Sequence, residues 1–178
     1  ILFPVPECVP FAKTGGLGDV AGALPAALAA RGHDVRVVVP RYRVTTKQPQ
    51  TRLPAPMGVP SAGGVAWTAV WEARLARTGG AAEGERLARL YLIEENRLFD
   101  RDGIYGGASG GYADNLERYA LLSRGSLELC RYLDWQPDVV HVHDWPTSLV
   151  PVYLNTLERG SSLARAASVL TVHNLAYQ

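Results

Sequence analysis

Four short stretches carry the residues best able to do chemistry. The first, Lys13-Thr14-Gly15-Gly16-Leu17-Gly18-Asp19, is a glycine loop entered by a cation. Glycines let a backbone come close to a ligand, and the N–H groups that open a helix favour an anion. A lysine ammonium just ahead of them adds a point charge that can reach a phosphate. Its identity is informative, because Lys13 and Lys47 are the only lysines among 18 basic residues, and composition alone would put arginine there. Two readings stay open: a phosphate cradle, or an ordinary strand-to-helix turn with a solvated lysine.

The second stretch is His141-Val142-His143-Asp144-Trp145. Strand alternation puts His141 and His143 on one face and Asp144 on the other. Two histidines at i and i+2 with no third ligand nearby make a thin metal site. His143 is therefore expected to hydrogen-bond a polar substrate, and His141 to sit deeper as a core histidine. The third stretch, Tyr112-Ala113-Asp114-Asn115, follows Asp100-Arg101-Asp102-Gly103-Ile104-Tyr105-Gly106-Gly107. Asp114-x-x-Glu117 ahead of an apolar stripe has the form of a capping box, so Asp114 reads as a helix cap or as a carboxylate facing a cleft. Tyr105, Tyr112 and Trp145, close to carboxylates and amides, have the composition of a sugar-binding surface, and each reads equally as packing. The fourth stretch, His173-Asn174-Leu175-Ala176-Tyr177-Gln178, places polar groups just after a strand.

The elements that must position these residues are legible from hydrophobic runs. Ile1–Val5, Val35–Val39, Val139–Val142 and Val169–Val172 are continuous apolar runs, which suits strands buried on both faces of a parallel sheet. Asp19 to Arg31 and Asn115 to Leu133 carry apolar residues at helical spacing, and Thr147 to Leu157 predicts a shorter helix. Residues 44 to 64, rich in proline and turn formers, read as loop. Val65–Leu75 and Arg86–Ile93 read as an antiparallel hairpin at the sheet edge around Thr78-Gly79-Gly80. The expected fold is α/β: a mostly parallel sheet with helices on both faces, binding ligands beyond the carboxyl ends of its strands.

Composition narrows the function. A chain of 178 residues with 47% hydrophobic and 20% charged residues can bury a real core. A formal net charge of +1 supplies no field to hold nucleic acid or an anionic membrane surface. No apolar run reaches the roughly twenty residues of a membrane span. Cys8 and Cys130 lack metal-ligand spacing and read as buried apolar residues, which suits a reducing cytoplasm. No secretory signal precedes them, so a cytoplasmic location is expected. Gly16-Leu17-Gly18-Asp19-Val20-Ala21 also satisfies the dinucleotide pattern G-x-G-x-x-A. However, about ten residues separate Val5 from Gly15, and Pro40-Arg41 stands where a ribose-binding acid belongs. A Walker loop is excluded because Lys13 precedes its glycines.

Taken together, Lys13 to Val20, Gly22-Ala23-Leu24-Pro25-Ala26-Ala27-Leu28, Asp114-Asn115-x-x-Arg118-Tyr119, His141-x-His143-Asp144-Trp145 and His173 to Gln178 resemble the N-terminal domain of bacterial glycogen synthases and plant starch synthases. The resemblance implies two Rossmann-like domains facing a cleft, the GT-B arrangement. Residues 1–178 would be the N-terminal part, with a C-terminal nucleotide-binding domain expected downstream. It also implies transfer of glucose from ADP-glucose to the non-reducing end of an α-1,4-glucan with retention, without a metal or other cofactor, and by the larger enzyme rather than the fragment. Lys13 would contact the donor phosphates, with the backbone of Gly15 and Gly16 close to the diphosphate or glucose. Asp19 and Asp114 would orient sugar hydroxyls or the acceptor, and His143 would hydrogen-bond the donor glucose. Glu7, Tyr112 and Asn174 are further binding residues on this resemblance. The alternatives are another GT-B transferase with a different sugar-nucleotide donor, or a non-catalytic glucan-binding module. In the first apolar run Pro4 and Pro6 depart from the family pattern. Pro25 matches it and is expected to mark a helix kink.

Overall fold

The structure, a computed structural model, describes residues 1–76, 83 and 86–175. In chain order the elements are β1 (Leu2–Pro4), α1 (Gly16–Ala30), β2 (Arg36–Pro40), β3 (Thr51–Arg52), β4 (Met57–Ser61), β5 (Gly64–Leu75), β6 (Ala88–Glu94) and α2 (Asn96–Phe99). There follow β7 (Gly106–Gly107), β8 (Gly110–Gly111), α3 (Asn115–Tyr132), β9 (Val139–His143), α4 (Asp144–Thr147), α5 (Leu149–Asn155) and β10 (Ala167–Thr171). The main sheet runs β10-β9-β1-β2-β6-β5-β3, and β4 pairs separately with β5. From β10 to β6 every pairing is parallel; β5 and β3 turn antiparallel.

Continuous apolar runs produce the middle of this sheet because each central strand serves two cores, whereas β10, expected from its run to be buried on both faces, lies exposed at the edge. Phe3, Val5, Val37, Val39, Leu90 and Leu92 face one side, where Leu17, Ala21 and Ala29 of α1 cover them. Leu2, Val38, Tyr91, Ile93, Val140 and Val142 face the other, under Tyr119, Leu122 and Leu127 of α3. Alternation along each strand therefore feeds both layers, and burial of apolar area on both faces is the main stabilising term.

Pro4 lies in a central strand without losing a ladder bond to β2. Val5 N–H donates to Val38 O at 2.9 Å and Arg36 N–H to Ile1 O at 2.9 Å, so the odd-numbered residues of β1 bond to β2. The even ones face β9, and that pairing registers only Leu2 with Val140. The missing N–H of Pro4 thus falls where the ladder has already ended. Pro25 sits inside α1, which stays one helix through it. A proline there cannot bond the carbonyl four residues back. The Cys8 thiol donates to that carbonyl, Ala21 O, at 3.2 Å. Cys8 is fully buried, and burial pushes its thiol pKa up to about 12, so it remains a donor. Cys8 is therefore more than an apolar filler.

Several expectations are corrected. The stretch 44–64 is not all loop: it holds β3 and β4, and β4 pairs with β5 from Met57↔Thr68 to Ser61↔Gly64. Pro60 is tolerated because β4 has a single partner strand, leaving its other edge unbonded. The β5–β6 hairpin forms, but one strand in from the edge, since β3 pairs outside it. Its expected turn, Thr78-Gly79-Gly80, lies outside the described residues, as do residues 176–178. The helix expected from Thr147 to Leu157 is two short helices, α4 and α5, divided at Ser148. Asp114 occupies the N-cap position of α3 but makes no side-chain cap bond. At the far edge β10 pairs with β9, and Val169 and Leu170 remain 44% and 51% exposed.

Candidate active site

Strand order reverses at β1. The chain moves outward through β2 to β6, then returns to the other side of β1 for β9 and β10. Such a reversal opens a crevice beyond the carboxyl ends of the two strands at the switch, because their connections leave in opposite directions. The loop after β1 and the first turn of α1 carry Glu7 to Asp19, and the exit of β9 carries His143 to Trp145. These two connections therefore open at the same edge of the sheet, beyond neighbouring strands.

The first wall is the loop between β1 and α1. It is pinned by Cys8 N–H to Ala12 O at 2.8 Å and Val9 N–H to Gly18 O at 3.0 Å. Glu7, 3% exposed, accepts from the backbone N–H of Thr14 at 2.6 Å and of Gly15 at 3.0 Å. The Thr14 hydroxyl donates to it as well. The start of α1 is thus partly neutralised by an internal carboxylate, the interaction that helix N–H groups favour. Lys13 Nζ lies 2.7 Å from both carboxylate oxygens of Asp19, and both side chains are about half exposed. Added Cβ atoms on Gly15 and Gly16 would meet no atom within 4 Å, so their backbone fronts open space. A Cβ on Gly18 would instead lie 3.1 Å from Lys13 Cγ and 3.2 Å from Glu7 Oε2. Gly18 lets those two side chains close over the helix start.

The second wall comes from the loop between α2 and α3. Tyr105 donates its hydroxyl to Glu7 Oε1 at 2.8 Å. Burial and the Glu7 charge raise the Tyr105 pKa, so the phenol stays protonated. Its ring stands 5.9 Å from Tyr119 and 6.1 Å from Trp145, and Trp145 meets Tyr119 edge-on at 5.0 Å. Asn115 Nδ2 donates to Tyr105 O at 2.8 Å. Arg118, wholly buried and with no carboxylate partner among the described residues, donates to the carbonyls of Leu98 and Ile104 and to Asn115 Oδ1. That guanidinium staples the Tyr105 loop to α3. Asp114 is gripped by Arg101 through two bonds of 2.8 and 2.6 Å. Hydrogen bonding from Arg101 holds the Asp114 carboxyl below its usual range. Tyr112 accepts from Gly103 N–H at 3.3 Å, and its ring packs against the guanidiniums of Arg101 and Arg118. Glu117, read as the partner in a capping box, pairs instead with Arg97.

The third wall is the exit of β9 and β10. His143 is fully buried, with Phe3 at 4.4 Å and His141 at 4.3 Å between ring centroids. His143 Nδ1 lies 3.0 Å from His173 Nε2, and His143 Nε2 has no hydrogen-bond partner among the described residues. Burial, with help from the neighbouring His141 and His173, lowers the His143 pKa to about 3. His141 Nε2 is satisfied by Thr171 Oγ1 at 2.8 Å, but the expected depths are reversed: His141 is only half-buried, on the strand that faces the sparsely covered β10, and His143 is the core histidine. Asp144 adopts a left-handed backbone with φ 54°, and its Oδ1 accepts from His173 N–H at 2.7 Å.

The structure therefore gathers Glu7, Lys13 and Gly15 on the loop after β1 and Gly16 and Asp19 on the first turn of α1 that follows it. Through Tyr105 and Trp145 that loop adjoins the segment bearing His143. Asp114 and Tyr112 stand on the same loop system but are committed to Arg101 and to the loop backbone, and Asn174 is exposed next to His173 along the chain. Sequence reasoning assigned no role to Arg101 or His173. His173 carries a detectable signal, since it leaves β10 as His143 leaves β9, at paired register Thr171↔His143. Among the described residues no group of three or more His, Cys, Asp or Glu is arranged to hold a metal ion.

Comparison with known proteins bears on the family and the fold. A family model described as the starch synthase catalytic domain matches residues 1–178. Glycogen synthase 1 of Geobacter sulfurreducens is 46% identical over 185 residues, covering all of this chain and 35% of the relative. Glycogen synthase of Treponema denticola is 40% identical over 179 residues, with the same coverage. The solved catalytic domain of starch synthase IV from Arabidopsis thaliana, bound to ADP and acarbose, superimposes with a TM-score of 0.81 at 29% identity, over 99% of this chain and 34% of that one. The chain thus spans about a third of the length of the relatives it matches.

Proposed function

The chain belongs to the starch synthase catalytic domain family, and from that premise we propose that it forms the first of two facing domains of a retaining glucosyltransferase. The donor is ADP-glucose, and the acceptor is the non-reducing end of an α-1,4-glucan. The observation that carries this reading is the crevice at β1 and β9, where a glycine loop with Lys13 adjoins, through Glu7, Tyr105 and Trp145, the segment that holds His143. The ADP in the structural neighbour supports a nucleoside diphosphate as ligand.

Departure of ADP puts negative charge on a phosphate while the glucose becomes cation-like. Lys13 meets the phosphate charge, and the open backbone of Gly15 and Gly16 lets the diphosphate approach. The donor competes with Asp19 for the Lys13 ammonium, so the exposed ion pair opens when the nucleotide sugar binds; such a pair costs little to separate. His143, kept neutral by burial, hydrogen-bonds a glucose hydroxyl through Nε2. Asp19, once released, and Asp114 face sugar hydroxyls or the acceptor. With the Lys13 ammonium meeting the charge on the leaving phosphate, the reaction is proposed to proceed without a metal or other cofactor, in the cytoplasm.

The test is steady-state kinetics on the complete gene product with glycogen as acceptor. Lys13→Ala is expected to raise the KM for ADP-glucose and reduce kcat/KM about 100-fold or more, the scale of losing a charged contact to a developing anion. An unchanged KM would remove Lys13 from the phosphate site. Equal turnover with UDP-glucose would point to a transferase of different donor choice. Retention on glycogen with no transfer from any nucleotide sugar would leave a glucan-binding module.

A further inference from the structure

We infer that His173 is a positioning residue for His143: it fixes the orientation and tautomer of the buried ring, so that His143 Nε2 meets the substrate in one set hydrogen-bonding role. The inference deepens the proposed function and rests on it for the identity of the substrate.

Every other freedom of His143 is already removed. Its backbone N–H donates to Thr147 Oγ1 at 2.8 Å, and the Thr147 hydroxyl donates back to His143 O at 2.9 Å. Phe3 and His141 flank its ring. What packing leaves undecided is which nitrogen carries the proton, and whether the ring turns over about its long axis. A neutral imidazole has one donor and one acceptor nitrogen, so whatever bonds Nδ1 dictates what Nε2 offers. Among the described residues the polar partner of that ring is His173 Nε2, at 3.0 Å. The two nitrogens share one proton between them, and Nε2 of His143 takes the complementary role.

His173 is itself held. Its ring lies 5.3 Å from that of His143 at an interplanar angle of 25°. Its backbone N–H is tied to Asp144 Oδ1, and Asp144 is one of two non-glycine residues at positive φ in the described chain. A residue held in that region, at the exit of the strand that bears His143, has its conformation set by its surroundings. The carboxylate thereby reaches from the end of β9 to the end of β10 and closes a ring through His173 back to His143. His141 and Asp144 are the other titratable groups beside this pair, and His141 is occupied by Thr171.

The experiment is nitrogen NMR of the complete gene product labelled in its histidine rings, without substrate, with the His143 signals assigned by their loss in His143→Gln. The wild type is expected to show a single His143 tautomer, and His173→Leu a mixture or the opposite form. In kinetics, His173→Leu is expected to lower kcat about tenfold or more with donor KM little changed, the pattern of misplaced chemistry rather than lost binding. His173→Gln, whose amide can still bond Nδ1, is expected to restore most of that loss. An unchanged tautomer in His173→Leu overturns the inference, as does His173→Gln behaving no better than His173→Leu. Should His173→Leu fail to fold, Asp144→Gly keeps the backbone geometry while removing the carboxylate, and an unaltered spectrum and kcat there overturn it equally. A wild type without transferase activity would sink the functional reading, whereas the tautomer measurement would still decide the role of His173.

Discussion

The neutral His143 ring makes this protein sensitive to mild acid. In the unfolded chain a histidine binds a proton near pH 6.5, whereas in the fold burial holds His143 at about 3. Between those values the unfolded state carries more protons than the native one, so stability falls as pH falls. One such group costs about 1.4 kcal/mol per pH unit, or about 2 kcal/mol between pH 6.5 and pH 5. His141, also lowered by burial, acts in the same direction. Asp114 does not contribute in that window: Arg101 holds its carboxyl below 3.8, so the stability it adds is lost only in stronger acid. Urea unfolding at pH 7 and pH 5 is expected to show this loss, and His143→Gln is expected to shrink it; an equal loss in the variant would mean the term lies elsewhere. At this scale the sequence was readable in part. The histidines on one strand face, and a charged glycine loop, followed from spacing. That Glu7 would occupy the Thr14 and Gly15 amides, or that His173 would meet His143 across 30 residues, depends on tertiary approach that no local pattern encodes.

Among the elements, α1 shows how a broken local rule is repaired from outside. Pro25 deprives the Ala21 carbonyl of its helical donor, and Cys8, 13 residues before that carbonyl, supplies an S–H instead. A double-mutant cycle tests this pairing. Cys8→Ala is expected to destabilise the protein on the native background, and to cost about 0.5–1 kcal/mol less once Pro25→Ala has restored the helical N–H. Additive effects in urea unfolding would mean that the thiol merely fills space. In α3, Gly125 stands mid-helix where a Cβ would lie 2.9 Å from Ile93 Cδ1 and 3.5 Å from Val59 Cγ2, so a larger residue there would require the Ile93 side chain to shift. Strand β4 escaped sequence reading for a related reason. Gly58 and Pro60 look like loop residues, yet both are acceptable in a strand bonded on one side, and Met57 and Val59 still turn inward.

For the molecule as a whole, the α/β architecture with helices on both faces of the sheet was legible because continuous apolar runs have few other uses, whereas strand order was not. Placing β9 beside β1, and so creating the crevice, requires the chain to return past a strand laid down more than a hundred residues earlier. The opposite margin of that arrangement has its own chemistry. Strand β10 offers five residues of backbone with β9 on one side and nothing described on the other; Val169 and Leu170 lie exposed along it, and Val172 just beyond its end. Unpaired amides and carbonyls beside greasy side chains are a template for a stranger's strand. The 178-residue segment produced in isolation is therefore expected to elute from a sizing column as concentration-dependent assemblies, and Leu170→Lys, a charged gatekeeper, to shift it toward the monomer. A sharp monomeric peak at every loading would show that this margin is already guarded.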